Sequence, residues 1–372
     1  MLSFPALLKR TLGAFVIALL LAGSVQRLRA DPDRWDLYGS GRFRYDKDTG
    51  SKTGQPDRNR LRLNAELGLA YRPGTDWRFD LRGRTGPKNN PQGSNNTLKV
   101  FGAGTYGQRG FHADVWQAAW KPRDDVNVVV GRMLLPFWQA QDTIWDDDVT
   151  ILGAFGALSL PGAAAGAHRT LRAGAFTLPD GMTRFYGSLW VAQIEERRTL
   201  GQQQLRAALS TYVIDGDDNV RHTNSEDAGR DYWFGVLDLQ WTVPLGRWPL
   251  TVAAVGVRNF ESYDSSGGDR YAAAFHDQRW GGSVGFRLGR RAQPGDVLFI
   301  YRYLYVEALA ADPIIAQEGV TRLSSTDLKA HEIGFRVTLP HRAYVQPKVH
   351  LAERLSDGEE SVQYRLDVGW SF

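Results

Sequence analysis

From Arg60 to Arg72 the chain alternates without a break: Leu61, Leu63, Ala65, Leu67, Leu69 and Tyr71 lie on one face, and Arg60, Arg62, Asn64, Glu66, Gly68, Ala70 and Arg72 on the other. The last twelve residues repeat the pattern, with Val362, Tyr364, Leu366, Val368, Trp370 and Phe372 set against Ser361, Gln363, Arg365, Asp367, Gly369 and Ser371. A period of two gives an extended strand one apolar and one polar face, and the pattern collapses at helical spacing. Strands of about ten residues that are apolar outside and polar inside are what a closed barrel in lipid needs, because lipid cannot satisfy an open sheet edge.

Alternating or mixed segments recur at 35–45, 60–72, 77–84, 112–120, 126–134, 151–160, 170–178, 187–194, 205–214, 232–243, 250–259, 279–288, 297–306, 328–339, 344–355 and 361–372, sixteen in all. Short connections at 73–76, 121–125, 161–168, 195–201, 244–249, 289–295 and 340–343 take turns with long ones at 46–59, 86–110, 136–149, 216–231, 261–278 and 308–326. Two short outer exceptions are 179–186 and 356–360. Short turns on one rim and long loops on the other predict an all-β fold, a transmembrane antiparallel up-and-down β-barrel of sixteen strands. Weak patterning over 151–214 leaves fourteen or eighteen open. Trp35, Tyr71, Trp77, Trp120, Trp241, Trp248, Tyr344 and Trp370 stand beside the short turns or the termini, where an interfacial girdle is expected.

The N-terminus departs from this pattern. Lys9 and Arg10 precede an apolar run from Leu12 to Val25, and Leu28-Arg29-Ala30 offers a cleavage site, so residues 1–30 read as a secretory signal peptide and 31–372 as the barrel. The run is shorter than the roughly 18 residues of a spanning helix. The chain holds 45 Lys and Arg against 41 Asp and Glu; without the four basic residues of the leader the two are equal, so charge gives no reason to expect nucleic acid as a partner. No Cys is present, which excludes disulfides and thiolate metal sites.

Candidate chemistry lies on the inner faces. Arg42, Arg44, Arg60, Arg62, Arg78, Arg82 and Arg84 make a basic wall on the first three strands, interrupted by Glu66 and Asp80. Pro136-Phe137-Trp138 opens a loop that carries Asp142 and then Trp145-Asp146-Asp147-Asp148. Folded into the lumen, these carboxylates would face the wall across a narrow waist and filter solutes by charge and size. Alternatively, the arginines line the lumen only because they stay solvated, and the aspartates sit on an outer loop.

Enzyme-like motifs lack their context. Gly281-Gly282-Ser283-Val284-Gly285 lies within an alternating strand with no helix after it, and Gly102-Ala103-Gly104-Thr105-Tyr106-Gly107 has no preceding strand. Asp146–Asp148 lack calcium-loop spacing, no two His are spaced as metal ligands, and His222 with Ser225 has no supporting pattern. Neither a metal nor a cofactor nor catalysis is expected.

Arg58-Asn59-Arg60-Leu61-Arg62-Leu63, Arg82-Gly83-Arg84-Thr85-Gly86, Asn95-Asn96-Thr97-Leu98, Gly131-Arg132 with Pro136-Phe137-Trp138, and above all Trp145-Asp146-Asp147-Asp148 resemble the putative porin family of Gram-negative outer membranes. The likeness is strongest over 58–160 and weaker from Thr326-Asp327-Leu328-Lys329-Ala330-His331-Glu332 onward. It implies an outer-membrane channel for passive diffusion of small hydrophilic solutes. Implied partners are lipid, the barrel-assembly machinery that reads the C-terminal strand ending at Phe372, and two further copies in a homotrimer. An exporter or uptake channel for an acidic polysaccharide, similar to alginate-export barrels, and an outer-membrane hydrolase remain as alternatives.

Overall fold

The structure, a computed structural model, describes residues 34–49, 57–102, 109–162, 166–216, 229–266, 268–320 and 323–372. The expected signal peptide lies outside these residues. The strands of the first half are β1 (Trp35–Thr49), β2 (Arg58–Tyr71), β3 (Trp77–Thr85), β4 (Asn96–Phe101), β5 (Phe111–Arg123), β6 (Val126–Leu134), β7 (Thr150–Pro161), β8 (Ala167–Asp180) and β9 (Arg184–Leu200). Those of the second are β10 (Gln203–Asp215), β11 (Tyr232–Leu245), β12 (Trp248–Asn259), β13 (Trp280–Gly289), β14 (Val297–Val306), β15 (Leu328–Thr338), β16 (Tyr344–Arg354) and β17 (Glu360–Ser371). Among the described residues one short helix, α1 (Arg270–Phe275), follows β12 and is capped by Asp269, which accepts from the backbone N–H of Tyr271 and Ala272.

Every strand pairs antiparallel with its neighbours, and β17 returns to β1 with Ser40 opposite Ser371 and Thr49 opposite Val362. This pairing closes the ring, which is the condition for a sheet in lipid; among the described residues only β4, paired with β2 alone, has a side without a partner strand. β3 and β4 occupy one place in the ring. β2 pairs with β3 over Glu66–Tyr71 and with β4 over Asn59–Leu63, so β4 continues β3 in the same direction. The seventeen described strands therefore fill sixteen positions, the number the alternation predicts.

The outer surface is apolar. Leu67, Leu69, Leu81, Trp190, Leu209, Trp233, Leu237, Val284, Phe335 and Tyr364 are exposed on it. Girdle aromatics stack at the short-turn rim, with Trp35 on Tyr71 at 4.3 Å and Trp77 on Trp120 at 5.8 Å between ring centroids. Tyr344 departs from that expectation: it lies under the Arg336 guanidinium and lines a lumen cavity beside Arg42.

Several connections depart from the sequence reading. The expected turn 195–201 is mostly strand, because β9 runs to Leu200. The expected outer loop 86–110 turns inward at Gly86, whose φ of +150° and close approach to the Gly93 carbonyl, 2.3 Å from where a Cβ would sit, exclude a side chain. Residues 92–95 are consequently buried. The expected outer loop 308–326 also folds into the barrel: Ala308, Leu309, Ala310, Ala311, Ile315, Ala316 and Val320 are buried, and an apolar stretch of this kind is stable only away from water.

Candidate functional site

The inner faces of β17, β1 and β2 form a lattice of charge. Register puts Arg365, Asp46 and Arg60 in one row, Asp367, Arg44 and Arg62 in the next, and Arg42 beside Asn64 below them. Arg44 holds Asp367 through two hydrogen bonds of 2.7 and 3.0 Å, and Arg60 holds Asp46 through two of 2.7 and 3.1 Å. Arg58 takes Asp48 at 2.9 Å. Arg62 reaches Asp46 only at 3.4 Å, and Arg42 has no ion pair among the described residues, bonding instead to Asn95 Oδ1 at 3.3 Å. The arginines are thus interleaved with aspartates rather than forming a continuous track.

On the adjoining wall the buried Glu332 of β15 accepts from Arg302 of β14 at 2.9 Å and from Lys348 of β16 at 2.6 Å. Across the lumen from β17, β1 and β2 runs the segment between β6 and β7, which is held at intervals by inward side chains. The Trp138 backbone N–H donates to Gln193 on β9 at 3.0 Å, Ala140 N–H to Asp238 on β11 at 2.8 Å, and the Thr143 hydroxyl meets Ser283 on β13 at 2.6 Å. Asp142 then accepts from Arg302, and Asp148 lies 3.4 Å from Arg84 on β3. The acidic segment is thereby strung from one side of the barrel to the other.

Its four aspartates differ in what they touch. Asp146 is buried, accepts from the backbone N–H of Asp148 at 2.9 Å and of Glu318 at 3.1 Å, and its own N–H donates to the Ile315 carbonyl at 2.7 Å. It staples the segment to the inward stretch after β14. Loss of water raises its carboxyl well above the usual range, with Asp148 and Asp147 adding to the rise. Asp147 has neither hydrogen bond nor ion pair to another described residue and is exposed to the lumen. Although wetted, it sits deep in the barrel: partial dehydration, then Asp148 and Asp142, push it up to about 6 against the opposing pull of Arg42 and Lys348.

A polar cavity of about 570 Å³ separates the two walls, bordered by Arg42, Arg44, Arg60 and Arg62 on one side and Asp142, Asp146, Asp147 and Asp148 on the other. Asp147 also borders both smaller cavities on the short-turn side of the segment. Arg78, Asp80 and Arg82 are elsewhere. Arg78 is paired to Asp80 at 2.8 Å, and all three border a separate cavity of about 930 Å³ with His168 and Arg172. Arg84 is fully buried, donating to the Pro91 carbonyl at 2.8 Å. The predicted wall is therefore two walls, with Arg84 between them.

Sequence reasoning missed Arg365 within the lattice and Arg302, Glu332 and Lys348 on the adjoining wall, although each lies on the polar face of an alternating strand, where the signal was available. It also missed the buried carboxylate of Glu195, which Arg172, Arg197 and Arg206 surround. Ser283 faces Thr143 inside β13, with no helix after it, so the Gly-x-Ser-x-Gly match is strand. His222, Ser225 and residues 103–107 of the other glycine motif lie outside the described residues. The three consecutive aspartates bring carboxylate oxygens within 4.8 Å of one another, but hydrogen bonds to Asp146 and the Arg84 pairing of Asp148 already account for two of them.

A closed sixteen-position antiparallel barrel with segments folded into its lumen is the architecture of outer-membrane porins. Residues 45–207 match the model of a family described as putative porin, the family that the residues of the first half resemble. No curated protein sequence matches. Among solved structures, Pseudomonas putida OprB at high pH is 12% identical with a TM-score of 0.58, covering 92% of this chain and 95% of that one. A BenF-like porin from Pseudomonas fluorescens Pf-5 is 13% identical with a TM-score of 0.51, covering 91% and 98%. The trimer form of OmpT, an outer membrane protein of Vibrio cholerae, is 10% identical with a TM-score of 0.51, covering 91% and 99%. Likeness at such identities is one of fold.

Proposed function

We propose that this protein is an outer-membrane porin that lets small hydrophilic solutes diffuse through a water-filled passage on the charged side of the lumen. The observation that carries the reading is the placement of Asp147, an unpaired carboxylate that borders the cavities on both sides of the in-folded segment and faces Arg42. A carboxylate and a guanidinium on opposite sides of a narrow waist set up a transverse field, which sorts solutes by charge and dipole as well as by size. Asp142, Asp146 and Asp148 hold the waist in shape, while Asp147 meets the solute.

At the level of the in-folded segments the other side of the lumen is packed with apolar side chains. Phe137, Ile144 and Trp145 of the in-folded segment and Ile315 of the later one pack on Phe155, Phe176, Tyr212, Phe234 and Val257 of the wall. A passage restricted in this way favours slow, selective diffusion over a wide pore. Lipid, the assembly machinery acting on the strand that ends at Phe372, and two further copies in a trimer, as in the OmpT structure, are the partners this reading assigns.

The test is single-channel conductance of the folded, heat-modifiable chain in planar bilayers in potassium chloride. Small ohmic steps, with liposome swelling by monosaccharides but not by larger sugars, are expected. A folded barrel that conducts nothing contradicts the proposal.

A further inference from the structure

The charge lattice on β17, β1 and β2 is unbalanced in a definite way. Each of its three aspartates has one close arginine: Asp367 has Arg44, Asp46 has Arg60 and Asp48 has Arg58. Arg42, Arg62 and Arg365 are left over, and all three border the 570 Å³ cavity. Arg365 is only 8% exposed, yet makes no ion pair among the described residues; its Nη2 donates to the Gly319 carbonyl at 2.7 Å and to Gln363 at 2.6 Å. The Nε atoms of Arg42, Arg62 and Arg365 are buried and lack any hydrogen-bond partner among the described residues.

A buried donor without an acceptor carries the cost of its lost hydration, and three of them around one cavity leave that cost uncompensated. The planar guanidinium fork is matched by the two or three oxygens of a carboxylate or phosphate group. We propose that Arg42, Arg62 and Arg365 form an oxyanion-binding subsite in the outer vestibule, which takes the carboxylate or phosphate group of a small multivalent solute. The inference rests on the porin reading for its setting, but binding itself needs no conduction. Arg62 and Arg365 flank β1 on either side, offset by two residues, so their Cα atoms are roughly 12 Å apart on the diagonal of the sheet, a span suited to a di- or tricarboxylate rather than to chloride. Across the cavity Asp147, unpaired among the described residues, repels an anion, so the solute is held on the arginine side.

Calorimetric titration of citrate, and separately of inorganic phosphate, into the full chain folded in detergent tests this directly. Saturable binding of at least one anion is expected, and the tighter of the two identifies the group preferred. Arg42→Gln, which removes only the bond to Asn95 from the fold, is expected to weaken binding about tenfold, the effect of one charge-assisted hydrogen bond. Arg365→Lys, which keeps the charge and loses the fork, is expected to weaken it by a similar factor, and Asp147→Asn to tighten it. The proposal is overturned if neither anion binds the wild-type barrel, or if both arginine variants, folded by heat-modifiability, bind as tightly as wild type. Conductance in potassium chloride decides the porin reading separately: a conducting channel that binds no anion contradicts the subsite alone.

Discussion

The Arg84 guanidinium, fully buried on β3, lies 3.4 Å from the Asp148 carboxylate at one end of the in-folded segment and 3.3 Å from Asp114 on β5. At the other end Asp142 pairs with Arg302, so the segment is fastened to opposite walls by charge. Arg84→Met is expected to destabilise the barrel by about 3 kcal/mol, because it leaves part of the buried Asp114 charge uncompensated and the partly exposed Asp148 without its partner. Urea unfolding followed by loss of heat-modifiability measures it. A loss below about 1 kcal/mol, the worth of an exposed pair, would mean the fastening is wet and weak.

Asp312, in the stretch after β14, is 5% exposed and accepts from the Ile314 N–H at 3.0 Å. Burial pushes its carboxyl up to about 6 from the ordinary 3.8. Below about pH 4 the group is protonated folded and unfolded alike, and burial carries no ionic penalty. As pH rises through the window between those values only the unfolded chain ionises freely, so stability falls, by up to ~3 kcal/mol in full. The melting temperature is therefore expected to be higher at pH 5 than at pH 7. In Asp312→Asn that slope should shrink; an unchanged slope would assign it to other groups.

Ring closure depends on small residues at the seam, Gly39 under Phe372 and Gly41 under Trp370. A Cβ at Gly41 would lie 2.2 Å from the Trp370 ring, which crosses β1 at the position where the last strand pairs with the first. Gly41→Leu would displace the indole and open that seam. The expected result is a sharply lower yield of folded, heat-modifiable protein, while Gly74→Leu, in a turn with open space around its Cα, should fold normally.

Where the lumen side is charged and the outer side apolar, as in β1, β2 and β17, alternation alone shows the strand and its inner face. The same rule weakens over β7 to β10 for a physical reason. Phe155, Phe176, Leu189, Val191, Tyr212 and Ile214 point inward onto the in-folded segments, so both faces of these strands are apolar and the period of two loses contrast. In-folding also hid the later inner stretch. Ala308-Leu309-Ala310-Ala311 and Ile314-Ile315-Ala316 are too apolar for an outer loop, a signal present in the sequence but outweighed by the expected alternation of short and long connections. The pairing of Arg44, Arg58 and Arg60 was not legible, because which arginine meets which aspartate depends on the register of β1 against β2 and against β17, at the far end of the chain.

The central claim is that Asp147, the one unpaired aspartate of the in-folded segment, sets the charge preference of the passage. The most direct measurement is the reversal potential across a bilayer in a potassium chloride gradient at pH 7.5, for wild type and Asp147→Asn, a substitution that leaves the bonds of Asp142, Asp146 and Asp148 intact. The account predicts a shift toward anions in the variant. It also predicts that wild type moves the same way at pH 5, below the value of about 6 to which the carboxyl is pushed. Equal reversal potentials for the two proteins at pH 7.5 would contradict it.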